Sequence, residues 1–395
     1  MSSLRILLTC EDYLPQMGGA EVCAANLKRQ FEKRGHRVVM FTNTLAPNAP
    51  ADSSVVRVPW KFTPAGVCHH MKILWKLIGQ SDIVHCEYSF RIACICAVIA
   101  RMRGVPMVLT QQGRGIVPEA GTKWRYLPFL RLCQHVSMRG ASAITSTSDE
   151  ITDLTARFVR RSKIVLVTNG YDDVFFSPDS SLPLPPEYAR ISSSQKKILT
   201  VRRLVPKNGI HILLQALALV KEKRIDFHYF AVGDGRSRPI IERLIRELKL
   251  TEHVTLLGSR ANDTIKPYLQ HADLVVVPSS AEATSIACIE AMGMEKPLIA
   301  SRVGGLIDLL GKEGTYGTLV PIYDSEACTY DPPDTLPRER LLPLANAILA
   351  FLDQPAPFVE RARKAAPHVR QKFTWSAIAE QYLQIFFSLL PKLPS

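Results

Sequence analysis

Leu274-Val275-Val276-Val277-Pro278, continuing into Ser279-Ser280-Ala281-Glu282-Ala283-Thr284-Ser285-Ile286-Ala287-Cys288-Ile289-Glu290-Ala291-Met292, is the stretch that decides the fold. Its opening run is apolar on successive residues, as in a strand covered on both faces; a half-exposed strand would alternate. Thr284 and Ser285 then stand where helix-capping residues belong, ahead of the apolar run 286–292. A buried strand thus passes through a short loop into a helix. The same unit recurs before it, at Lys197–Val201, Phe227–Val232 and Val254–Leu257, and after it, at Leu298–Ser301. It recurs again in the first half, at Arg5–Thr9, Arg37–Phe41, Asp82–His85, Met107–Thr110, Ala143–Ser146 and Ile164–Thr168. Strands alternating with helices predict α/β structure with parallel sheets. A Ser/Pro-rich stretch, Ser177–Gln195, separates the two series and reads as an interdomain linker. The expectation is two Rossmann-like domains facing each other across a cleft, with chemistry in the loops at the carboxyl ends of the strands.

A chain of 395 residues with 47% hydrophobic and 22% charged residues is long enough for two packed domains. No apolar run reaches the roughly 20 residues of a membrane span; the best, Ile92–Ala100, is closed by Arg91 and Arg101. Met1-Ser2-Ser3-Leu4-Arg5 leads into an apolar run ending at Glu11-Asp12, which lacks a signal peptide's layout, so a cytoplasmic product is expected. Nine cysteines, an odd number and mostly inside apolar runs, suit reduced thiols better than a disulfide framework. Cys68-His69-His70 with Cys86 lacks a second ligand pair at zinc spacing, and no metal site is expected.

The net charge of +13 is uneven: residues 1–180 hold 22 Lys and Arg against 14 Asp and Glu. Such a bias suits an anionic lipid surface or a phosphorylated acceptor, and generic solubility accounts for it equally well. Lys72-Ile73-Leu74-Trp75-Lys76-Leu77 and Lys123-Trp124-Arg125-Tyr126-Leu127-Pro128-Phe129-Leu130-Arg131 interleave cations with large apolar residues, as segments lying on an anionic membrane do. Ordinary helix packing with solvated charges is the alternative. Nucleic acid is not an expected partner.

Three further loops carry candidate chemistry. Pro15-Gln16-Met17-Gly18-Gly19-Ala20-Glu21 puts a glycine pair before a helix, where backbone amides and the helix dipole favour a phosphate. Alone, such a pair is more often just a turn. Thr200-Val201-Arg202-Arg203-Leu204-Val205-Pro206-Lys207-Asn208-Gly209 offers Arg203 and Lys207 to a diphosphate leaving group, although a solvated basic turn is common. Gly233 and Gly235 in Ala231-Val232-Gly233-Asp234-Gly235 line the cleft floor in this reading. Between Glu282 and Glu290, eight residues at helical rise would cover roughly 12 Å, enough for one carboxylate at a hexose and one at a ribose. Glu290 falls inside an apolar run, where an unpaired carboxylate is costly.

Collinear along nearly the whole chain, these segments resemble the retaining GT-B glycosyltransferases of family 4, a group with many lipopolysaccharide, capsule and phosphoinositol mannosyltransferases. The residues that carry the resemblance are the Pro-x-x-Gly-Gly-Ala-Glu loop at 15–21, Asn169-Gly170-Tyr171-Asp172, Arg203-Leu204, Gly233-Asp234-Gly235, the Glu-x7-Glu pair 282 and 290, Gly304-Gly305 and Phe373-Thr374-Trp375. The resemblance implies an acceptor-side domain over 1–180, a nucleotide-sugar domain over 190–373 and a C-terminal helix, about 374–395, crossing back onto the first. Gly18 and Gly19 would lie near the donor phosphates and acceptor, Arg203 would hold the diphosphate, Glu282 would touch the transferred sugar and Glu290 would bind the ribose. Arg260, Thr284, Ser285 and Ile286 complete the implied donor set. Transfer would retain anomeric configuration without a bound metal, and the chain holds no Asp-x-Asp triplet. Implied partners are a UDP- or GDP-sugar as co-substrate, with no other cofactor, and a lipid-linked or saccharide acceptor; the expected location is cytoplasmic, with peripheral contact on the membrane's inner face.

Three positions depart from the family pattern. Its Lys in the phosphate loop is Asn208 here, with Lys207 adjacent. Its reaction-centre His is Gln112, within Thr110-Gln111-Gln112-Gly113, and Gln donates a hydrogen bond without serving as a base near neutral pH. Glu295 stands where Gly is usual. Two other readings stay open: a nucleotide-sugar epimerase of the same architecture, which would isomerise donor alone, and a binding homologue that has lost catalysis.

Overall fold

The computed structural model describes residues 3–15, 19–46, 52–61, 63–87, 91–112, 127–324, 329 and 332–391. The chain forms two units, Met1–Gly170 with Trp375–Ser395, and Tyr171–Thr374. In the first unit run β1 (Arg5–Cys10), α1 (Gly19–Lys33), β2 (Arg37–Thr42), β3 (Val55–Arg57), α2 (Pro64–Gly79), β4 (Ile83–Glu87), α3 (Arg91–Arg103), β5 (Met107–Gln111), α4 (Leu127–Gly140), β6 (Ala143–Ser146), α5 (Asp149–Ala156) and β7 (Ile164–Leu166). The second holds α6 (Pro186–Ala189), β8 (Lys196–Val201), α7 (Ile210–Lys221), β9 (Phe227–Val232), α8 (Arg238–Glu247), β10 (Val254–Gly258), α9 (Asn262–His271), β11 (Leu274–Val277), α10 (Ile286–Gly293), β12 (Leu298–Ser301), α11 (Gly304–Leu310), β13 (Thr318–Val320), α12 (Arg338–Asp353) and α13 (Ala356–Lys372). The last helix, α14 (Trp375–Leu389), returns to the first unit and packs against α1.

All strand pairs are parallel, in the orders β3-β2-β1-β4-β5-β6-β7 and β10-β9-β8-β11-β12-β13. Each strand's alternate side chains enter opposite cores, which is why the strands read as unbroken apolar runs. Ile6 and Leu8 join the core beneath α1 and α14, while Leu7 joins the one beneath α2 and α3. Ile198 and Val276 face α7 and α12; Leu199, Val275 and Val277 face α10.

Strand order reverses between β1 and β4 in the first sheet and between β8 and β11 in the second. These reversals part the loops beyond the carboxyl ends and make the crevice in which open α/β sheets bind ligands. Ser285 caps α10 by accepting from Cys288 N–H at 3.2 Å, so the helix begins four residues after Glu282.

Four expectations need correction. The unit boundary falls at Gly170/Tyr171, and Ser177–Gln195 is packed structure of the second unit, anchored by Phe176 and the fully buried Tyr188 of α6. Two edge strands, β3 and β13, were absent from the sequence reading. The strand from Ile164 ends at Leu166, short of Thr168. The rise estimate between Glu282 and Glu290 fails in its first half, because 282–285 is not helical.

Candidate functional site

In the second unit the loops after β8, β9 and β11 are packed on one another through backbone. Leu204 N–H donates to the Asp234 carbonyl at 3.0 Å, Ser237 N–H to Leu204 at 2.9 Å, and Ser280 N–H to Lys207 at 2.8 Å. The glycines are demanded by these approaches. A Cβ on Gly233, whose φ is +139°, would lie 1.9 Å from the Arg202 carbonyl oxygen, and one on Gly209, φ +68°, would lie 2.1 Å from that of Pro278. Gly235 likewise would bring a Cβ to 2.5 Å from the Leu204 carbonyl oxygen. The strand reversal therefore carries one compact cluster of loops, with Arg203, Lys207, Gly233, Gly235, Glu282, Thr284 and Ser285 all on it.

Within that cluster the two arginines part. Leu204 is buried and Arg203 is exposed. Arg202 turns inward: its Nη1 donates to Ser285 Oγ and its Nη2 to Ser279 Oγ, each at 2.9 Å, and its guanidinium is ion-paired with Glu282. Burial pulls the Arg202 pKa down to about 10. The sequence reading gave Arg202 no role. Lys207 Nζ reaches the Ala281 carbonyl at 3.5 Å, which lays it along the same loop. Asn208 is buried and donates its amide to the Arg203 carbonyl at 2.7 Å, so the residue in the family's Lys position shapes the loop and presents no charge.

Glu282 and Glu290 are both buried, at 6% and 7% exposure. The Glu282 carbonyl accepts from Gly305 N–H at 2.8 Å, which ties the motif to α11. Burial alone pushes the Glu290 carboxyl up to about 8. Thr284 donates its hydroxyl to the Ala283 carbonyl at 2.9 Å, and Ile286 is the first residue of α10. Arg260 is held apart from these residues, donating to Glu187 at 2.7 Å and lying 5.8 Å over the Tyr268 ring. Glu295, in the usual Gly position, has φ 57°, the left-handed conformation that favours glycine, and its carboxylate meets Arg370 at 3.1 Å.

In the first unit, Gly19 opens α1 with open space around its Cα, while Gly18 lies outside the described residues. Gln112 follows β5 and is gripped at both ends: its Nε2 donates to Glu87 Oε2 at 3.0 Å and its Oε1 accepts from Asn169 Nδ2 at 3.2 Å. Asn169 Oδ1 in turn accepts from the Cys23 thiol at 3.1 Å. Glu87 and His85 are fully buried, with His85 Nε2 at 3.3 Å from Glu87 Oε1 and 2.8 Å from Thr110 Oγ1. Tyr382 of α14 closes the network at 3.0 Å from the same Thr110 hydroxyl. Of this chain the sequence signalled Gln112 and the Asn169 motif; nothing local distinguished Glu87 or Cys23 from other strand and helix residues.

Among the described residues no group of three or more His, Cys, Asp or Glu is placed to hold a metal ion, and the eight described cysteines are free thiols.

Two doubly wound parallel α/β units, each with a strand reversal, are a fold that binds ligands in the loops beyond its strands' carboxyl ends, and comparison with known proteins gives the family. Residues 18–170 match the family model described as glycosyl transferase 4-like domain, and residues 187–329 that described as glycosyl transferases group 1. The chain is 26% identical to alpha-D-kanosaminyltransferase of Streptomyces kanamyceticus, covering 81% of this chain and 80% of that protein. It is 25% identical to N-acetyl-alpha-D-glucosaminyl L-malate synthase of Bacillus anthracis, covering 98% and 97%. The crystal structure of Anabaena HepE with UDP and glucose superposes with a TM-score of 0.77 at 21% identity, covering 98% of this chain and all of the other. The fold is GT-B, and the chain belongs to the glycosyl transferases group 1 family. It is thus a glycosyltransferase, in a family whose members bind nucleotide-sugar donors and act on saccharide or lipid acceptors.

Proposed function

We propose that the protein moves a hexose from a UDP- or GDP-sugar to a lipid-linked or saccharide acceptor, with retained anomeric configuration and without a bound metal. The observation that carries this reading is the loop cluster at the β8/β11 reversal. There an exposed Arg203, Lys207, the capped N-terminus of α10 and two buried carboxylates belong to one backbone-locked assembly. Cations and helix amides neutralise the charge that grows on a departing nucleoside diphosphate, the main electrostatic lever for such a transfer. Glu290 is proposed for the ribose and Glu282 for the transferred hexose.

The acceptor is proposed to reach the first unit at an anionic membrane face. Support comes from α2, α3 and α4, which pack side by side on one face of that sheet and contain no Asp or Glu. They expose Lys72, Lys76, Arg101, Arg103, Arg131 and Arg139, together with the apolar Met71, Trp75, Val98, Met102, Phe129 and Leu132. Arg103 lies 4.3 Å over the Trp75 ring, joining α3 to α2. Lys123–Tyr126, part of the second basic segment, fall outside the described residues. No described helix is long and apolar enough to cross a membrane.

A thermal-shift panel of UDP- and GDP-hexoses should identify the donor, and calorimetry with Arg203→Ala and Glu290→Ala tests the site. Each variant should weaken donor binding by about tenfold or more, the scale of one charge-assisted hydrogen bond. Unchanged affinity in both would refute the assignment.

A further inference from the structure

Two adjacent arginines follow β8, and only Arg203 is exposed. Arg202 spends its guanidinium inside the protein, on Ser285 Oγ, Ser279 Oγ and Glu282. Side-chain exposure is 9% for Arg202 and 7% for Glu282, so solvent and salt screen the pair little. The cation's place is otherwise unfavourable. It stands at the N-terminus of α10, bonded to the same Ser285 hydroxyl that caps the helix, where the helix dipole is positive. A buried cation there is tolerated only against an anion, and Glu282 is that anion.

The pair also sits on fixed ground. Gly305 N–H holds the Glu282 carbonyl, and Arg202 N–H donates to the Val232 carbonyl at 2.9 Å, with Gly233 leaving room for the Arg202 carbonyl beyond it. Backbone on both sides is thereby set, and the guanidinium fixes what remains, the rotation and charge of the carboxylate.

We propose that Arg202 is a positioning residue for the sugar end of the donor site, keeping the Glu282 carboxylate ionised and held in one orientation to accept a hydrogen bond from a hydroxyl of the transferred sugar. The role of Glu282 rests on the transferase reading; the pair itself rests on the geometry. The two arginines divide the work: Arg203 faces the leaving phosphates and Arg202 holds the carboxylate.

Three measurements on the full chain test this. In thermal unfolding without ligand, Arg202→Met and Glu282→Gln each destabilise, and the double variant loses less than the sum, because neither partner is left buried alone. Additive losses overturn the pairing. With UDP or GDP as the probe, whichever the wild type binds, Arg202→Met keeps affinity within about threefold while Arg203→Ala loses about tenfold or more. A loss for Arg202→Met as large as that for Arg203→Ala would place Arg202 on the phosphates and overturn the proposal. With the matching nucleotide-hexose, Arg202→Met lowers kcat and moves the acid limb of the kcat/KM profile to higher pH, since a buried carboxylate without its cation takes up a proton more readily. Arg202→Lys, which keeps the charge, restores the limb. A limb that stays put in Arg202→Met marks a merely structural residue and sinks the idea. Should the wild type bind neither nucleotide, the proposed UDP- or GDP-sugar donor falls, and the unfolding cycle still decides whether Arg202 holds Glu282.

Discussion

Replacing Glu290 by Gln should stabilise the ligand-free protein, and by an amount that grows with pH. Glu290 lies on α10 between the buried Ile289 and Ala291, and is itself 7% exposed. Burial is the sole cause acting on its carboxyl and raises the pKa from 4.5 to about 8. The folded protein therefore holds this proton over a range in which the unfolded chain has released it. Between those two values the native state binds more protons, so stability is fully present below pH 4.5, falls as pH rises, and levels off above about 8. At 1.36 kcal/mol per unit, the full shift corresponds to about 5 kcal/mol. Glutamine is close in shape and carries no titrating proton, so it escapes the loss.

Thermal unfolding at pH 5, 7 and 9 is the assay. At pH 5 the Gln variant should lie within about 1 kcal/mol of wild type, and at pH 9 it should be more stable by up to about 5 kcal/mol. At about 2–4 °C per kcal/mol for a unit of this size, that is a Tm gain of about 10–20 °C. A Tm difference of the same size at all three values would show that Glu290 does not titrate in this window and would refute the argument. One corollary concerns the ligand: ribose hydroxyls that donate to an ionised Glu290 would make nucleotide binding near neutral pH release a proton, visible as a buffer-dependent calorimetric enthalpy.

Two further outcomes follow from the geometry. The protein should sediment with vesicles containing phosphatidylglycerol at low salt, and Lys72→Gln with Lys76→Gln should weaken this by about thirtyfold, at about 1 kcal/mol per cation; failure of the wild type to sediment would remove the membrane proposal. Gly233→Ala should cost about 3 kcal/mol or more, a Tm fall of about 6–12 °C, because the new methyl meets the Arg202 carbonyl from a backbone conformation that only glycine adopts readily. Gly19→Ala, with nothing within 4 Å, should stay within about 0.5 kcal/mol in the same melt.

The sheets were legible because their strands are buried on both faces, and a run such as Leu274–Val277 has no other economical reading. The missed strands lack that signature. β3 is three half-buried residues at a sheet edge, and β13 is also a three-residue edge strand. The boundary error has a related origin: Ser and Pro dominate 177–195, and its anchor, Tyr188, is a single aromatic in that stretch whose burial only the fold reveals. In the site, the motif spacing points to the loops that the structure packs together and to the exposed Arg203, and it leaves the buried Arg202 without a role. Arg202 and Arg203 are chemically equal in sequence, and what separates them is the direction of successive side chains where β8 ends, a property of backbone geometry and not of composition.

Gln112 shows the same division between what the residues say and what the fold adds. Read as a substitution for the family's His, it removes a proton acceptor. Its partners show what it does instead: a neutral amide bridges a fully buried carboxylate, Glu87, to Asn169. A histidine at this position would set a titrating ring against Glu87, and its protonation would change the charge of a buried network that runs on through His85 and Thr110 to α14. With glutamine the link between β4, β5 and the Asn169 segment gains no titrating ring. Under the proposed transfer, residue 112 offers no base for the acceptor's proton. In that proposal, stabilising the departing phosphate is then the chief lever, assigned to Arg203, Lys207 and the N-terminus of α10.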